Sequence, residues 1–165
     1  MASVFEIADG FIDTMAKHHP LSATHMGVPG FDHLMADYSP EATEAFHSDV
    51  LSALREMQTT DPTSDRERMC KDTFIDEISL SIEQYESREH LRDMNVLFSP
   101  VQSVRSIFDL MPRGSVGAWE NIASRMEKIG ESLAGYRRTL DIGRSEGLVT
   151  SERQVNGTAE QCEVW

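Results

Sequence analysis

Residues 39–57 read SPEATEAFHSDVLSALREM, and this stretch carries the clearest set of helix signals in the chain. Ser39 suits the N-cap, Pro40 suits the first helical position, and Glu41 favours the positive end of the helix dipole. Apolar residues then recur at intervals of three and four, the spacing of one helix face. They are Ala42, Ala45, Phe46, Val50, Leu51, Leu54 and Met57. The stretch predicts a long amphipathic helix that ends where Asp61-Pro62 interrupts the pattern.

Helical spacing also dominates the flanking segments. An apolar stripe over residues 4–15 predicts a first helix that ends at His18-His19-Pro20, because proline cannot continue a helix. Residues 20–27 fit a short helical turn that a glycine at its end would stop. A third long helix is predicted from about Ser64 to Arg88.

The second half of the chain carries similar signals. Residues 91–99 are apolar without a clean helical period, and because a lone strand is not stable, we expect a buried connector. Ser99-Pro100 predicts an N-cap and a first helical position, opening a short helix. A longer helix is expected over residues 116–147, with a bend at its internal glycines, Gly130 and Gly135. A last helix from about Thr150 is expected to turn three residues inward: Val155, Ala159 and Cys162.

These segments predict an all-α fold, a multi-helix bundle of about five to seven helices. Residues 1–165 form either a single helical domain or the N-terminal fragment of a larger α-helical protein, with an acidic three-helix part at 1–90 and a connector plus C-terminal helices at 91–165. The last helix lacks a terminating Gly, Pro or basic turn before Val164-Trp165, which favours the fragment. A natural C-terminus with a frayed end is the alternative.

Charge is the strongest compositional signal, with a formal net charge of −13. Residues 1–98 hold 19 acids and 7 bases, whereas residues 99–165 hold 9 acids and 8 bases. An acidic surface repels phosphate backbones and anionic membranes, so neither nucleic acid nor a membrane is expected as a partner. No apolar run approaches the ~20 residues that span a bilayer, and the first residues do not resemble a signal peptide. We therefore expect a cytoplasmic protein.

Two cysteines, Cys70 and Cys162, lie on apolar helix faces and form no clustered motif. We expect buried or half-buried free thiols, with a disulfide between them as the alternative.

Several histidines and acids were considered as metal ligands. Four residues gather early in the chain, and a metal-binding bundle around them is one hypothesis: His18, His25, His33 and Glu44. Their spacing does not match helical zinc sites, so loop and cap histidines are the simpler interpretation. The ExxH at 44–47 resembles half of a di-iron site, but residue 87, three before His90, is a serine. Acids along the third helix are expected to face solvent. We assign no metal ligand and no catalytic residue.

One segment is a candidate for lining a binding site. Ser99, Gln102 and Arg105 occupy the first turns of a short helix that follows an irregular apolar connector. Polar groups that open a helix beside a buried loop are well placed to line a pocket. Simple capping and an ion pair are the alternative. We expect these three residues to contribute to a substrate channel.

An ordered series of short stretches carries a family resemblance. They include Phe5–Asp9, Pro20–Thr24 with Gly27, Asp32–Leu34, Asp37–Glu41, His90–Asn95 with Ser99–Gln102, Phe108–Pro112, Trp119, Leu133–Leu140, Gly143, Gly147–Val149 and Arg153–Val155. In this order they resemble the opening of the bacterial "domain of unknown function 885" proteins. The resemblance covers nearly the whole chain, and the order of the stretches carries it rather than any single motif.

The resemblance implies a helix-rich protein several times longer than a short domain, with a zincin-like metallopeptidase core. The zinc motif of such proteins, His-Glu-x-x-Pro-Gly-His, lies far downstream and is absent from these 165 residues. No zinc ligand or general base can therefore be transferred to this chain, and zinc is expected only in a full-length parent. By fold-level analogy, the helices here would form one wall of the substrate channel.

The leading functional hypothesis is therefore the N-terminal helical portion of an uncharacterised zincin-like hydrolase that is inactive alone. Its partners would be the remainder of the parent protein and a peptide substrate, and exposed apolar faces would allow self-association. The alternative is a non-enzymatic helical module that binds a protein or peptide between its helices.

Overall fold

The computed structural model describes residues 2–165, and within them every regular element is helical. The α-helices, in chain order, are α1 (Val4–His18), α2 (Pro20–Met26), α3 (Pro40–Thr59), α4 (Asp65–Glu86), α5 (Pro100–Leu110), α6 (Val116–Glu127), α7 (Ile129–Ser145) and α8 (Glu152–Val164). A single turn of 3₁₀ helix, Glu89–Leu91, follows α4. The predicted all-α class is confirmed.

The predicted helix starts follow from their caps. The Ser39 side chain accepts a hydrogen bond from Ala42 N at 3.2 Å, and Pro40 occupies the first turn of α3. Ser64 caps α4 in the same way. Gly27 ends α2 with a φ of 74°, a left-handed conformation that glycine adopts without a steric penalty.

The first half of the chain is a three-helix unit in which α1, α3 and α4 pack on one another. Its core contains Val4, Ile7 and Met57, all nearly or fully buried, with Phe74 and the half-buried Cys70 packed against them. The acidic residues from the second turn of α4 onward are exposed, as expected: Asp72, Asp76, Glu77, Glu83 and Glu86. Glu67 in the first turn is buried instead. Cys70 and Cys162 are both free thiols, but Cys162 is exposed rather than buried.

A second core joins α2 to the C-terminal helices. Leu21, Ala36, Val104 and Ile107 form its buried centre. Between α7 and the 3₁₀ turn the backbones approach so closely that a Cβ on Gly143 would overlap the carbonyl oxygen of Leu91. Only glycine fits at this contact, which holds the 3₁₀ turn against α7.

A buried arginine connects α6 to the loop after α2. Arg125 is completely buried, and its guanidinium donates to Leu34 O at 2.8 Å, Phe31 O at 3.1 Å and Thr24 Oγ1 at 3.0 Å. A longer bond of 3.3 Å reaches Pro20 O. Burial lowers the pKa of Arg125, and the nearby carboxylate of Asp32 opposes this shift. The arginine thus satisfies backbone carbonyls that a loop would otherwise leave buried and unpaired.

The structure differs from the sequence prediction at the long fifth helix. The sequence predicts a bend at Gly130 and Gly135, but the helix breaks before both glycines, at Lys128, into α6 and α7. The N–H of Lys128 bonds back to the carbonyl of Arg125, three residues before, at 3.2 Å. This tighter turn redirects the chain just after the buried arginine.

The prediction that residues 91–99 form a buried connector was wrong. The connector after the 3₁₀ turn is not buried throughout, because Leu97 and Phe98 are 67% and 84% exposed. Asn95 Oδ1 accepts from both of their backbone N–H groups, at 2.9 and 2.7 Å, and this turn directs them outward.

The last helix packs with the opposite face from the one predicted. Val155, Ala159 and Cys162 are exposed, whereas the inward positions of α8 are Gln154, Gly157, Thr158 and Gln161. Gln154 Oε1 accepts from Val96 N, and Gln161 Nε2 donates to Val96 O, each at 3.0 Å. Hydrogen bonds from glutamine side chains of α8 to the backbone of Val96 therefore decide which face of α8 turns inward, rather than its apolar residues.

Candidate functional site

An open cleft of about 740 Å³ lies between α3, α4, the 3₁₀ turn, the connector and the segment before α8. It is lined by His19, Thr43, Phe46, His47, Val50, Ser81, Gln84, Tyr85, Glu89, His90, Arg92, Asp93, Met94, Asn95, Val149 and Thr150. Its volume lies in the range of small-molecule and peptide-binding pockets. Aromatic, imidazole and charged groups meet here, so we describe it as the candidate site.

A column of three stacked rings forms one wall of the cleft. The ring of His47, from α3, lies 3.8 Å from that of Tyr85, from α4, with an angle of 11° between their planes. The ring of His90, from the 3₁₀ turn, lies 4.7 Å from the other face of Tyr85 at 6°. Tyr85 and His90 also line a second cavity of about 300 Å³. The column therefore separates the two cavities.

Local backbone geometry places His90 in this column. Arg88, just after α4, adopts φ 63° and ψ 27°, a left-handed conformation that is uncommon for residues other than glycine. It reverses the chain so that Glu89–Leu91 forms the 3₁₀ turn. The Arg88 guanidinium pairs with Glu146 at the end of α7. A strained residue held by an ion pair thus directs an imidazole into the cleft wall.

The imidazoles of the cleft sit in poorly solvated surroundings. Burial lowers the pKa of His19 to about 4, assisted by repulsion from His18. Burial also lowers the pKa of His90, and Arg88 and His47 contribute in the same direction. The Nδ1 atom of His90 is buried and has no hydrogen-bond partner within residues 2–165. Both imidazoles are therefore neutral at pH 7.

The floor of the cleft carries an acidic residue held by its backbone. Tyr136 donates a hydrogen bond of 2.6 Å from its hydroxyl to the carbonyl oxygen of Asp93. Asp93 as a whole residue is exposed, yet protein atoms crowd its carboxyl group, and this burial raises the pKa of Asp93. Burial, with the negative charge of Asp93 adding to it, also raises the pKa of Tyr38 to about 12.

The three residues predicted to line a substrate channel are not among the residues that line the cleft, and they have different roles. Ser99 is completely buried, and its backbone N donates to Gln102 Oε1 at 3.0 Å in a capping box. Gln102 Nε2 donates to Gln161 Oε1 of α8 at 2.7 Å. Arg105 is exposed and pairs with Asp109 one turn along α5. Gln102, which Ser99 holds in the capping box, therefore joins α5 to α8. Arg105 takes no part in the contact between these two helices.

Potential metal ligands are not brought together. His18 Nε2 lies 2.8 Å from Asp49 Oδ2, whereas His25, His33 and Glu44 are exposed at separate places. The ring of Tyr85 separates His47 from His90. Across residues 2–165, no group of three or more His, Cys, Asp or Glu side chains could hold a metal ion. The described residues do not fit the zinc site that the family resemblance implies.

Sequence reasoning missed most of the cleft. The sequence does not assign His19, Tyr85, His90 and Asp93 to a shared site, because no local spacing links α3 to the 3₁₀ turn. One signal was present, since the cleft residues of α3 recur at intervals of three and four. They are Thr43, Phe46, His47 and Val50. A helix face that mixes aromatic, imidazole and hydroxyl groups indicates a lined cavity rather than a plain core.

The comparisons with known proteins place the chain in a family. No helix within residues 2–165 combines the length and the apolar character that crossing a membrane would require. No curated protein matches the chain. A family model described as "Bacterial protein of unknown function (DUF885)" matches residues 20–165, which include every cleft residue except His19. This match confirms the resemblance drawn from the sequence, apart from Phe5–Asp9, which precede it. The chain therefore belongs to the DUF885 family of bacterial proteins.

Proposed function

We propose that this chain is the N-terminal helical portion of a zincin-like hydrolase related to metallopeptidases, and that its cleft forms part of the substrate channel. The observation that carries the proposal is the cleft itself, about 740 Å³ in volume, which belongs to a family-matched region and is lined by both aromatic and hydrogen-bonding groups. A peptide needs both, because its backbone requires polar partners and its side chains require apolar contact.

The chemistry of the proposed hydrolase is assigned to residues outside this chain. The described residues do not assemble a metal site. The contribution proposed for this chain is to bind and orient a peptide. Phe46 and the ring column would give apolar contact, and the amide nitrogen of Asn95 and the lone pairs of the Thr43 hydroxyl would be available for hydrogen bonds. We place such a protein in the cytoplasm, with the remainder of its parent as its partner.

Two measurements on the chain test this proposal. First, the purified chain with added zinc should not hydrolyse a mixed set of fluorogenic peptides. Second, a non-hydrolysable peptide set should shift the amide NMR signals of cleft residues, among them Thr43, Tyr85 and Thr150. Robust zinc-dependent turnover would contradict the placement of the chemistry elsewhere. Shifts confined to other surfaces would contradict the role of the cleft.

A matched pair of variants sharpens the second measurement. Tyr85→Leu removes the middle ring of the column, and peptide binding should weaken by about tenfold or more, a loss of roughly 1.4 kcal/mol. Phe5→Leu makes the same kind of change on an exposed residue of α1 and should leave binding unchanged. Equal loss in both variants would show that the effect is not specific to the cleft.

A non-enzymatic interaction module is the second candidate, and one observation favours it. The outward face of α8 and the adjoining connector expose large apolar side chains, with Phe98 and Val164 each 84% exposed. Exposed apolar patches often mark surfaces for protein association, including self-association. A His-Glu-x-x-Pro-Gly-His motif in the reading frame after Trp165 would favour the hydrolase, and a stop codon there would favour the module.

A further inference from the structure

The charges that line the cleft do not cancel. Glu89 and Arg92 neutralise each other, since Arg92 Nε donates to Glu89 Oε2 at 3.1 Å and a second bond joins the same two side chains. Asp93 is the remaining carboxylate of the lining. Within residues 2–165, no ion pair and no side-chain hydrogen bond involves its carboxylate. The two carboxylates and one guanidinium of the lining therefore sum to a net negative charge.

The backbone that carries this carboxylate is fixed. The 2.6 Å hydrogen bond from the buried Tyr136 holds the Asp93 backbone, and the next residue is also held, because Thr150 Oγ1 donates to Met94 O at 2.9 Å. Asp93 is exposed in the cleft, and its side chain has no partner of opposite charge among residues 2–165. A cation placed beside it would form a charge-assisted hydrogen bond.

Aromatic rings complete the surroundings. Phe46 and His47 line the same cleft as Asp93, whereas the faces of Tyr85 are covered by His47 and His90. Cationic groups of ligands are commonly held by a carboxylate together with aromatic faces, because ring quadrupoles attract positive charge. The net charge of −13 adds a long-range field that attracts cations and repels anions.

We propose that the cleft binds the cationic group of a peptide ligand, a guanidinium or an ammonium, against the carboxylate of Asp93. This rests on the proposed function, because it names the substrate class of the same cleft. The shared chemistry is a positive nitrogen group, which a basic side chain or a free amino terminus would supply.

Two pairs of small probes test the proposal by NMR titration of the chain. Nα-acetyl-arginine amide is compared with its neutral analogue Nα-acetyl-citrulline amide, which isolates the guanidinium. Phenylalanine amide is compared with Nα-acetyl-phenylalanine amide, which isolates the terminal ammonium. At least one charged probe should bind about tenfold more tightly than its neutral analogue, with shifts at Asp93 and Met94. Its affinity should fall as salt is raised from 10 to 300 mM, since a charge pair is screened.

Two variants assign the effect to one carboxylate. Asp93→Asn keeps the shape of the side chain and should remove the preference for the charged probe. Asp76→Asn makes the same change at an exposed position of α4 outside the cleft and should retain it. The proposal is overturned if neither charged probe is preferred, or if Asp93→Asn binds it as tightly as Asp76→Asn. Cleft binding of the neutral probes alone would overturn it while leaving the proposed peptide channel intact.

Discussion

The half-buried imidazole of His19 makes the stability of this protein depend on pH. His19 lies between α1 and α2, and its ring packs edge-on against Phe46 with 4.3 Å between the ring centroids. Burial and the neighbouring His18 lower its pKa from 6.5 to about 4. The folded protein therefore holds His19 neutral over a pH range in which the unfolded chain protonates it.

The sign and size of the effect follow from this difference. Because the folded-state pKa is lowered, the contribution of His19 to stability is fully present above pH 6.5 and is lost as the pH falls towards 4. One pKa unit corresponds to about 1.4 kcal/mol, so the loss between pH 7 and pH 4 is on the order of 2 to 3 kcal/mol. Asp49, which pairs with His18, faces the same corner of the fold.

Urea unfolding followed by circular dichroism at pH 7.0, 5.5 and 4.0 measures this loss. His19→Phe keeps a ring against Phe46 but cannot titrate, so its stability should fall by 2 to 3 kcal/mol less than that of the wild type over this range. His25→Phe changes an exposed histidine of α2 and should follow the wild type. The reasoning would be refuted if the loss of unfolding free energy between pH 7.0 and 4.0 differed by less than about 1 kcal/mol between the wild type and His19→Phe.

Three further predictions concern how the helices are held. Arg125→Leu should lower the free energy of unfolding by about 3 kcal/mol, because it leaves buried carbonyls unpaired, while Arg105→Leu on the exposed face of α5 should change it by less than about 0.5 kcal/mol. Gly143→Ala should cost more than about 2 kcal/mol by overlap with the 3₁₀ turn, while Gly130→Ala, with open space around it, should stabilise by up to about 1 kcal/mol. Gln161→Leu should speed amide hydrogen exchange in α8 and leave α1 to α4 unchanged. Urea unfolding and exchange mass spectrometry measure these effects, and equal responses within either matched pair, or unchanged exchange in α8, would contradict them.

Local signals predicted the helices well, and distant contacts account for what they missed. Caps such as Ser39 and Ser64 act within one turn, so the sequence around them is sufficient. The face that α8 turns toward the rest of the protein depends instead on Val96, which lies 58 residues before Gln154. An apolar stripe shows that a helix has two unlike faces, but not which of them a neighbour covers.

The candidate site shows the same limit more strongly. Its column joins His47 and His90 through Tyr85, from three elements that no sequence period connects. The spacing analysis treated His47 only as half of a di-iron site, and local spacing does not indicate its stacking on Tyr85. The role of Ser99, Gln102 and Arg105 in a substrate channel stays a prediction.

The cleft links ligand binding to the cooperativity of folding, because its walls come from segments that lie far apart in the sequence. Residues of α3, α4, the 3₁₀ turn and the segment at 149–150 share one cavity. Any occupant that binds only when these walls are assembled adds its binding free energy to the folding of all of them at once. A bound ligand would therefore protect backbone amides from hydrogen exchange both in residues 1–90 and in the segment leading to α8. Binding would in this way couple the stability of the two halves of the chain.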